Sequence, residues 1–277
     1  MTRTAHPRAR AILAVLAMAG ALGADAPGAA RGGGGSVAEI RVGQAFERFG
    51  MLKPGTRLYI RFRLKDGVAT PIDLQTKELR FPLVEGHRRL RITQRWQGEG
   101  GHLELDSWFE AGTFRPLTHS RTTTRDGAAK TEAFEFLGNE VRGTRREAGK
   151  AAAEFSVASP VAPFNFETDL ETLQSLPLRP AAEFKLVFYH PGGQAPAVYS
   201  FKVAGEEVLR TPLGNFDCWV VTTDYNAPGH PVSRFWFAKS SQLAVRTESP
   251  LKDGSTIVKA LVLASSEPTA AEDRRKK

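Results

Sequence analysis

Apolar and polar positions alternate along most of the chain from residue 57 onwards. In residues 57–64 every second side chain is apolar, and the positions between carry three arginines and a tyrosine. A period of two predicts a half-buried β-strand with one face on the core. We therefore expect one face, formed by Leu58, Ile60, Phe62 and Leu64, to meet the core. The other face, with Arg57, Tyr59, Arg61 and Arg63, should meet water or an anionic partner.

The same alternation predicts further strands, in residues 78–84, 88–96 and 102–109. Asp126-Gly127 separates two more such segments, 119–125 and 130–136, and this dipeptide predicts a hairpin in which Phe134 and Phe136 share one face. Residues 139–153 are polar and predict a loosely ordered hairpin or an exposed loop, followed by a short strand at 154–157. From residue 181 the strand pattern resumes and continues to residue 262.

One segment has helical character. In residues 168–175, Thr168 and Glu171 match a capping box, Leu170 and Leu173 fall on one side, and Pro177 acts as a stop. A single short helix in a β-rich chain is expected to plug a barrel end or cover an open sheet face.

These patterns predict a mainly β fold. Roughly ten to twelve strands and one short helix, without a βαβ rhythm or a repeat, indicate a curved antiparallel sheet or an open or half barrel. We expect residues 37–264 to form a single β-rich domain.

The two ends of the chain predict segments outside this domain. Residues 1–30 combine a basic start, an uncharged run at 11–24 and small residues after it, which is the layout of a cleaved secretory signal peptide. The apolar run is too short to span a bilayer of about 30 Å stably, so no membrane span is expected after cleavage. Residues 31–36 should be a flexible Gly-rich tether, and 265–277 a disordered basic tail. The predicted location is periplasmic or secreted.

Charge and cysteine content limit the function further. The net charge is +8, but basic and acidic residues are interspersed, so nucleic-acid binding is not expected. Cys218 is the single cysteine, which excludes an intramolecular disulfide. Its apolar neighbours Phe216, Trp219 and Val220 predict a buried, inert thiol.

The sequence offers no recognisable catalytic or metal motif. The histidines are dispersed, as His87, His102, His119, His190 and His230, without ligand spacing, so we assign no metal and no cofactor. No nucleophile elbow is present, and we assign no catalytic residue. A hydrolase acting through His102, Glu104 or Asp106 remains the enzymatic alternative, although alternate polar residues of a strand are usually solvated.

Aromatic side chains provide candidate ligand contacts. Trp219, Trp236, Phe235 and Phe237 could contact an apolar ligand on the concave side of a curved sheet, and Trp96 and Trp108 could join them. Ordinary core packing is the competing interpretation and is favoured by the burial preference of aromatic residues. Alternation places Phe235 and Phe237 opposite to Trp236, and Cys218 opposite to Trp219, so these side chains cannot all line one cavity.

A family resemblance rests on the segment V-x-G-E-E-x-x-x-T-P-x-G-x-F-x-C-W, followed by R-F-W-F-A-K and x-V-R-x-E, with D-S-W-F, F-R-P and L-P-L-R upstream. The chain resembles the exported bacterial domain-of-unknown-function 3108 family over most of residues 57–262. The resemblance implies an envelope protein with a β architecture similar to the half-barrels of lipoprotein-localisation factors. It implies no known activity.

The sequence therefore predicts a non-enzymatic exported protein. We expect it to bind or carry an apolar, lipid-like ligand or an envelope partner. The alternatives are the envelope hydrolase described above and a structural protein that interacts through its exposed strand edges.

Overall fold

The computed structural model describes residues 37–193, 195–226, 229 and 231–266. The predicted signal peptide and Gly-rich tether lie outside the described residues, as do His230 and residues 267–277 of the predicted basic tail.

The described chain is built almost entirely of β-strands. They are β1 (Val37–Ile40), β2 (Gly55–Lys65), β3 (Val68–Arg80), β4 (Leu83–Val84), β5 (His87–Gly98), β6 (Gly101–Glu110), β7 (Pro116–Arg125), β8 (Ala128–Phe136), β9 (Glu140–Glu147), β10 (Ala153–Ala158), β11 (Phe164–Asn165), β12 (Glu183–Tyr189), β13 (Ala197–Thr211), β14 (Gly214–Thr223), β15 (Ser233–Ala238), β16 (Ala244–Pro250) and β17 (Thr256–Ser266). Short 3-10 turns occupy Phe49–Met51 and Phe166–Thr168, and one helix, α1, spans Asp169–Gln174.

All strands belong to one curved sheet. Antiparallel pairing joins β12 through β17 in sequence, and β17 then pairs with β2, which places the last described strand beside one of the first. The sheet continues through β3 and β5 to β10, while β1 and β11 both lie parallel to β12. It remains open between β10 and β12, so the prediction of a mainly β, open sheet with one short helix is confirmed.

The predicted number of strands, ten to twelve, was too low: the described residues alone form a sheet of 17. Two strands, β4 and β11, contain only two residues each. The prediction placed only residues 78–80 of β3 in a strand, and it missed the preceding part, which carries the polar side chains of Asp73, Gln75 and Lys77. These three side chains are buried. A strand can therefore turn a polar face inward when the interior provides hydrogen-bond or ion-pair partners for it.

Local turn signals were more reliable. Asp126 and Gly127 adopt φ values of 48° and 78°, as a type I′ turn requires, and they connect β7 to β8. Phe134 and Phe136 lie in the same apolar cluster, and residues 139–153 form the β9 strand and a turn into β10.

The helix exists, but its predicted capping box does not. Thr168 makes no side-chain capping bond to α1, and its hydroxyl donates to the carbonyl oxygen of Asn165 at 3.0 Å. Asn165 caps the preceding 3-10 turn by accepting from the backbone N–H of Glu167. Glu171 instead pairs with Lys77 of the sheet. Contacts with other elements thus replace the two reciprocal hydrogen bonds between Thr168 and Glu171 that a capping box would contain.

Residues 164–178, which we call the inner segment, fill the concave side of the sheet. Their apolar side chains, Phe164, Leu170, Leu173, Leu176 and Leu178, are all less than 5% exposed. They pack against strand residues such as Phe188, Phe201 and Phe237 in the main core. Contact with the sheet on this scale stabilises a six-residue helix that would be marginal alone.

Side chains close the open seam of the sheet. The Tyr189 ring of β12 packs edge-on against Phe134 at 6.1 Å and Phe136 at 6.3 Å between centroids. Arg121 of β7 donates to the carbonyl oxygen of Pro191 at 3.0 Å. The seam is therefore joined by side-chain contacts where the backbone ladder is interrupted.

Gly143 of β9 lies under this seam, and its replacement tests how tightly the seam is packed. A Cβ atom there would collide with the Ala133 carbonyl oxygen and the Phe155 ring. We expect Gly143→Ala to lower the free energy of unfolding by about 1–3 kcal/mol through overpacking. Gly205→Ala, where no atom lies within 4 Å of the added methyl, is the control in urea denaturation. Equal stability of the two variants would contradict a packed seam.

Candidate functional site

Most of the arginine face of β2 lies inside the molecule, which reverses the predicted orientation of this strand except at Arg63, which is exposed. Arg57 is 6% exposed and Tyr59 2%, whereas Leu58 and Ile60 on the opposite face are only half-buried. Register places Arg57, Tyr59 and Arg61 beside the buried polar residues of β3. The prediction was wrong because the interior supplies partners for these polar side chains, which alternation alone does not reveal.

Two ion pairs compensate most of this interior charge. Lys77 contacts both carboxylate oxygens of Glu171, at 2.9 and 3.0 Å, with side chains 2% and 3% exposed. Arg61 holds Asp73 through Nε at 2.7 Å and through a second, parallel contact. A charge buried at this depth is tolerated when an opposite charge and hydrogen bonds replace water.

Between the sheet and the inner segment lies a cavity of about 200 Å³. Its wall has a cationic part, an acidic part and an aromatic part. The lining residues that concern the chemistry are Arg61, Lys77 and Lys259; Glu167 and Asp169; and Trp96, Phe166, Tyr225 and Phe235.

Lys259 of β17 projects into this cavity and makes no ion pair within 4 Å among the described residues. Its Nζ lies 5.1 Å from the centroid of the Trp96 ring, which also stacks under Arg61 at 4.0 Å. Burial, and then the nearby Lys77 and Arg61, lower the pKa of Lys259 to about 7. The amine therefore sits near the midpoint of its titration at neutral pH.

Asp169, the first residue of α1, is the acidic counterpart of Lys259. One carboxylate oxygen accepts the N–H of Leu170 at 2.7 Å, and no cation lies within ion-pair distance in the described part of the chain. Burial raises the pKa of Asp169 to about 6 despite the opposing effect of Lys259 and Lys77. Glu167 differs, because it lies 3.5 Å from Arg121, although burial raises its pKa too.

The structure separates the four aromatic residues predicted to contact a ligand. Phe235 lines the cavity, and Phe237 is 0% exposed in the main core. Trp236 lies on the opposite face, where its Nε1–H donates to Glu207 at 2.8 Å. Trp219 packs against the core beneath Lys239. The predicted opposition of Trp236 to its neighbours is confirmed, and among these four only Phe235 reaches the cavity.

Cys218 is buried, as predicted, in a second apolar cluster with Val220 and Trp236. Burial, followed by the charge of Asp217, raises the pKa of its thiol to about 11. The thiolate needed for nucleophilic chemistry is therefore scarce at neutral pH.

The residues named for a hydrolase lie on the outer face of the sheet. Glu104 and Asp106 line a shallow trough of about 600 Å³ together with Glu78, and His102 is exposed beside it. Each of these acids contacts an arginine: Glu104 meets Arg95 at 2.5 Å and Asp106 meets Arg91 at 2.8 Å. Glu78 is held by Arg80 at 2.6 Å. The trough thus contains three carboxylates, and each of them is paired with an arginine.

A buried contact between a serine and a histidine was not predicted from the sequence. Ser107 Oγ and His119 Nδ1 are 2.8 Å apart on neighbouring strands, with the residues 0% and 1% exposed. Burial, and then the charge of Arg121, lower the pKa of His119 to about 3. Inward alternation on β6 and β7 was the signal that could have found this pair. Because neither residue reaches solvent or the cavity, the contact serves packing.

Two other site classes find no support in the part of the chain that the structure describes. It contains no group of three or more histidine, cysteine or acidic residues arranged to hold a metal ion. None of its helices has the length and apolarity to cross a bilayer.

Comparison with solved structures shows one of the same type of fold, at very low identity. A β-barrel-like Brucella abortus protein of the domain of unknown function DUF1849 superposes with a TM-score of 0.51, at 8% identity, over 78% of this chain and 99% of that one. A DUF1329 family protein from Desulfovibrio piger gives a TM-score of 0.23, at 11% identity, over 80% of this chain and 89% of that one. No curated protein matches the chain significantly.

The family model of the proteins of unknown function DUF3108 matches residues 62–262, which include β3 to β16, the inner segment and nearly all cavity-lining residues. The resemblance found in the sequence is thereby confirmed. The chain belongs to the DUF3108 family.

Proposed function

We propose that this protein is a non-enzymatic binding protein that holds a small ligand in its interior cavity. The observation that carries the proposal is the pair Lys259 and Asp169, two ionisable side chains that face a cavity of about 200 Å³ without an ion-pair partner among the described residues. Both side chains are half-buried. Charges withdrawn from water in this way are normally paired, so two charges without partners on one cavity wall form the arrangement that a ligand completes.

The cavity supports a smaller and more polar ligand than the sequence suggested. Pockets for drug-sized ligands measure roughly 300–1,000 Å³, and this cavity is smaller. The aromatic wall fits the apolar contact that was expected. The charged wall favours a ligand that also carries ionised groups, and it disfavours a lipid-like molecule.

Binding without catalysis is also the simplest chemistry for these residues. A hydrolytic site needs a nucleophile or a carboxylate within reach of the substrate. The Ser107–His119 pair is enclosed, and the acids of the outer trough are held by arginines. Export to the periplasm or the medium, which rests on residues 1–30, is part of the same proposal.

Filling the cavity tests this function. We expect the purified full chain to release a small molecule on denaturing extraction, or to gain thermal stability with at least one of L-leucine, 4-methylpentanoate, 3-methylbutylamine and octanoate. Ile257→Trp should abolish these effects, because the larger ring occupies the cavity beside Lys259. Leu74→Trp, at an exposed position of the outer face, is the matched control.

Two results would overturn the proposal. One is the absence of any co-purifying molecule and of any stabilising probe. The other is a ligand whose binding Ile257→Trp leaves unchanged, because that ligand would occupy a different site.

A further inference from the structure

We propose that the ligand is a small zwitterion, with one ammonium group, one carboxylate and a short apolar side chain, as in a free amino acid. This inference rests on the proposed function, because it names the ligand class for the same cavity. It follows from the charges that remain on the cavity wall after every internal contact is assigned.

Most charges that line the cavity already have partners. Arg61 holds Asp73, Lys77 holds Glu171, and Glu167 faces Arg121. One cation, Lys259, and one anion, Asp169, remain. A ligand with only a negative charge would pair with Lys259 but be repelled by the carboxylate of Asp169. A ligand with only a positive charge would pair with Asp169 but be repelled by the amine of Lys259. Only a ligand with both charges complements both residues.

Two hydrogen-bonding groups behind this wall also lack partners among the described residues. They are the indole Nε1–H of Trp96 and the side-chain oxygen of Gln75. Both atoms are enclosed, so they do not determine the charge of the ligand. Side-chain hydrogen bonds hold this part of the wall in place: Gln75 donates to Gln94 at 2.6 Å, and Gln94 donates to the Glu167 carbonyl oxygen at 2.7 Å.

The aromatic part of the cavity wall determines the apolar part of the ligand. Phe166, Tyr225 and Phe235 contribute ring surface, which suits an apolar side chain. A cavity of about 200 Å³ limits the ligand to the size of a small amino acid rather than a peptide or an acyl chain. L-leucine is therefore the probe of choice.

Titration of the two residues should appear in the affinity. Asp169 loses its charge as the pH falls through about 6, and Lys259 loses its charge as the pH rises through about 7. The groups that face them are Arg61 of β2, Lys77 of β3, Glu167 of the 3-10 turn and Glu171 of α1. We expect affinity to be highest between pH 6 and 7 and to decrease on both sides, with a limiting slope of about tenfold per pH unit.

The test compares L-leucine with two analogues that each lack one charge, using isothermal titration calorimetry on the full chain. 4-Methylpentanoate lacks the amine and 3-methylbutylamine lacks the carboxylate. We expect each to bind at least about tenfold more weakly than leucine, because each leaves one buried charge or polar group unpaired. This comparison uses the unmodified protein and is independent of how well variants fold.

Variants assign each charge to its residue. In Asp169→Asn the advantage of leucine over 4-methylpentanoate should disappear, and in Lys259→Met its advantage over 3-methylbutylamine should disappear. Both changes remove a half-buried charge that has no ion-pair partner among the described residues, so folding should be retained. Lys185→Met, which removes an exposed lysine of β12, should leave all affinities unchanged.

The outcomes separate this inference from the proposed function. If 4-methylpentanoate or octanoate binds at least as tightly as leucine, and Ile257→Trp abolishes that binding, the cavity is a ligand site but the zwitterion is wrong. If no probe binds and nothing co-purifies, both the inference and the proposed function fail.

Discussion

Replacement of Lys77 by methionine is expected to lower the free energy of unfolding by about 3–5 kcal/mol. The change leaves Glu171 3% exposed and without the amine that now contacts both of its carboxylate oxygens. An unpaired carboxylate at that depth must either stay charged without water or bind a proton, and both cost free energy. Urea denaturation followed by circular dichroism gives the measurement.

Two further variants separate the loss of the ion pair from other effects. The double replacement Lys77→Met/Glu171→Met should recover most of the lost stability, because it removes both desolvated charges at once. Lys202→Met, which breaks the exposed pair with Glu183, should have little effect. If the double variant is as unstable as Lys77→Met, the buried charge of Glu171 is not the cause.

Replacement of Glu132 by glutamine is the second large effect that we expect, with a loss of about 3 kcal/mol. Glu132 of β8 is 1% exposed and contacts three cations: Arg145 at 2.8 Å, Lys130 at 3.2 Å and Arg121 at 3.5 Å. Glutamine keeps the shape of the side chain but not its charge. Arg121, whose side chain is 13% exposed, therefore loses its anionic partner on β8.

The contribution of Glu132 should also depend on pH. Burial alone would raise the pKa of this carboxyl, but Arg145, Arg121 and Lys130 outweigh burial and hold the pKa below its usual range. A lowered pKa in the folded state means that the stabilisation is present above the unfolded pKa of about 4.3 and is lost as the pH falls through the folded value. The difference in stability between the wild type and Glu132→Gln should therefore shrink at acidic pH.

The control for Glu132 is an acid that pairs at the surface. Glu140→Gln removes an exposed partner of Arg142 and should change stability little at any pH. Two results would show that the three contacts do not stabilise the fold. One is a loss of stability for Glu132→Gln no greater than that of Glu140→Gln, and the other is a loss that does not change with pH.

The two proposals and these stability predictions share one structural cause, the polar interior of the sheet. Lys77 and Glu132 show how the fold tolerates buried charge where partners are supplied by neighbouring strands or the inner segment. Lys259 and Asp169 are the exceptions on which ligand binding is proposed. The experiments therefore distinguish paired charge, which the fold tolerates as long as both partners are present, from unpaired charge, which should bind a ligand.

The sequence by itself determined the class of fold, the short helix and the local turns. Alternation identified most strands, and Asp126-Gly127 identified a hairpin, because both signals act within a few residues and need no distant partner. Alternation also placed Trp236 correctly opposite to Phe235 and Phe237. The family likewise followed from the order of motifs along the chain.

Only the tertiary structure decided which face of a strand is the inside. On β2 the alternating pattern was read correctly but assigned to the wrong side, because Asp73 and the acids of the inner segment are distant in sequence or lie on other elements. The cavity arose in the same way, from β2, β3, β5, the turn after β14, β15 to β17 and the inner segment together. Burial of charge depends on partners brought close by folding, and a periodic pattern along one strand carries no information about them.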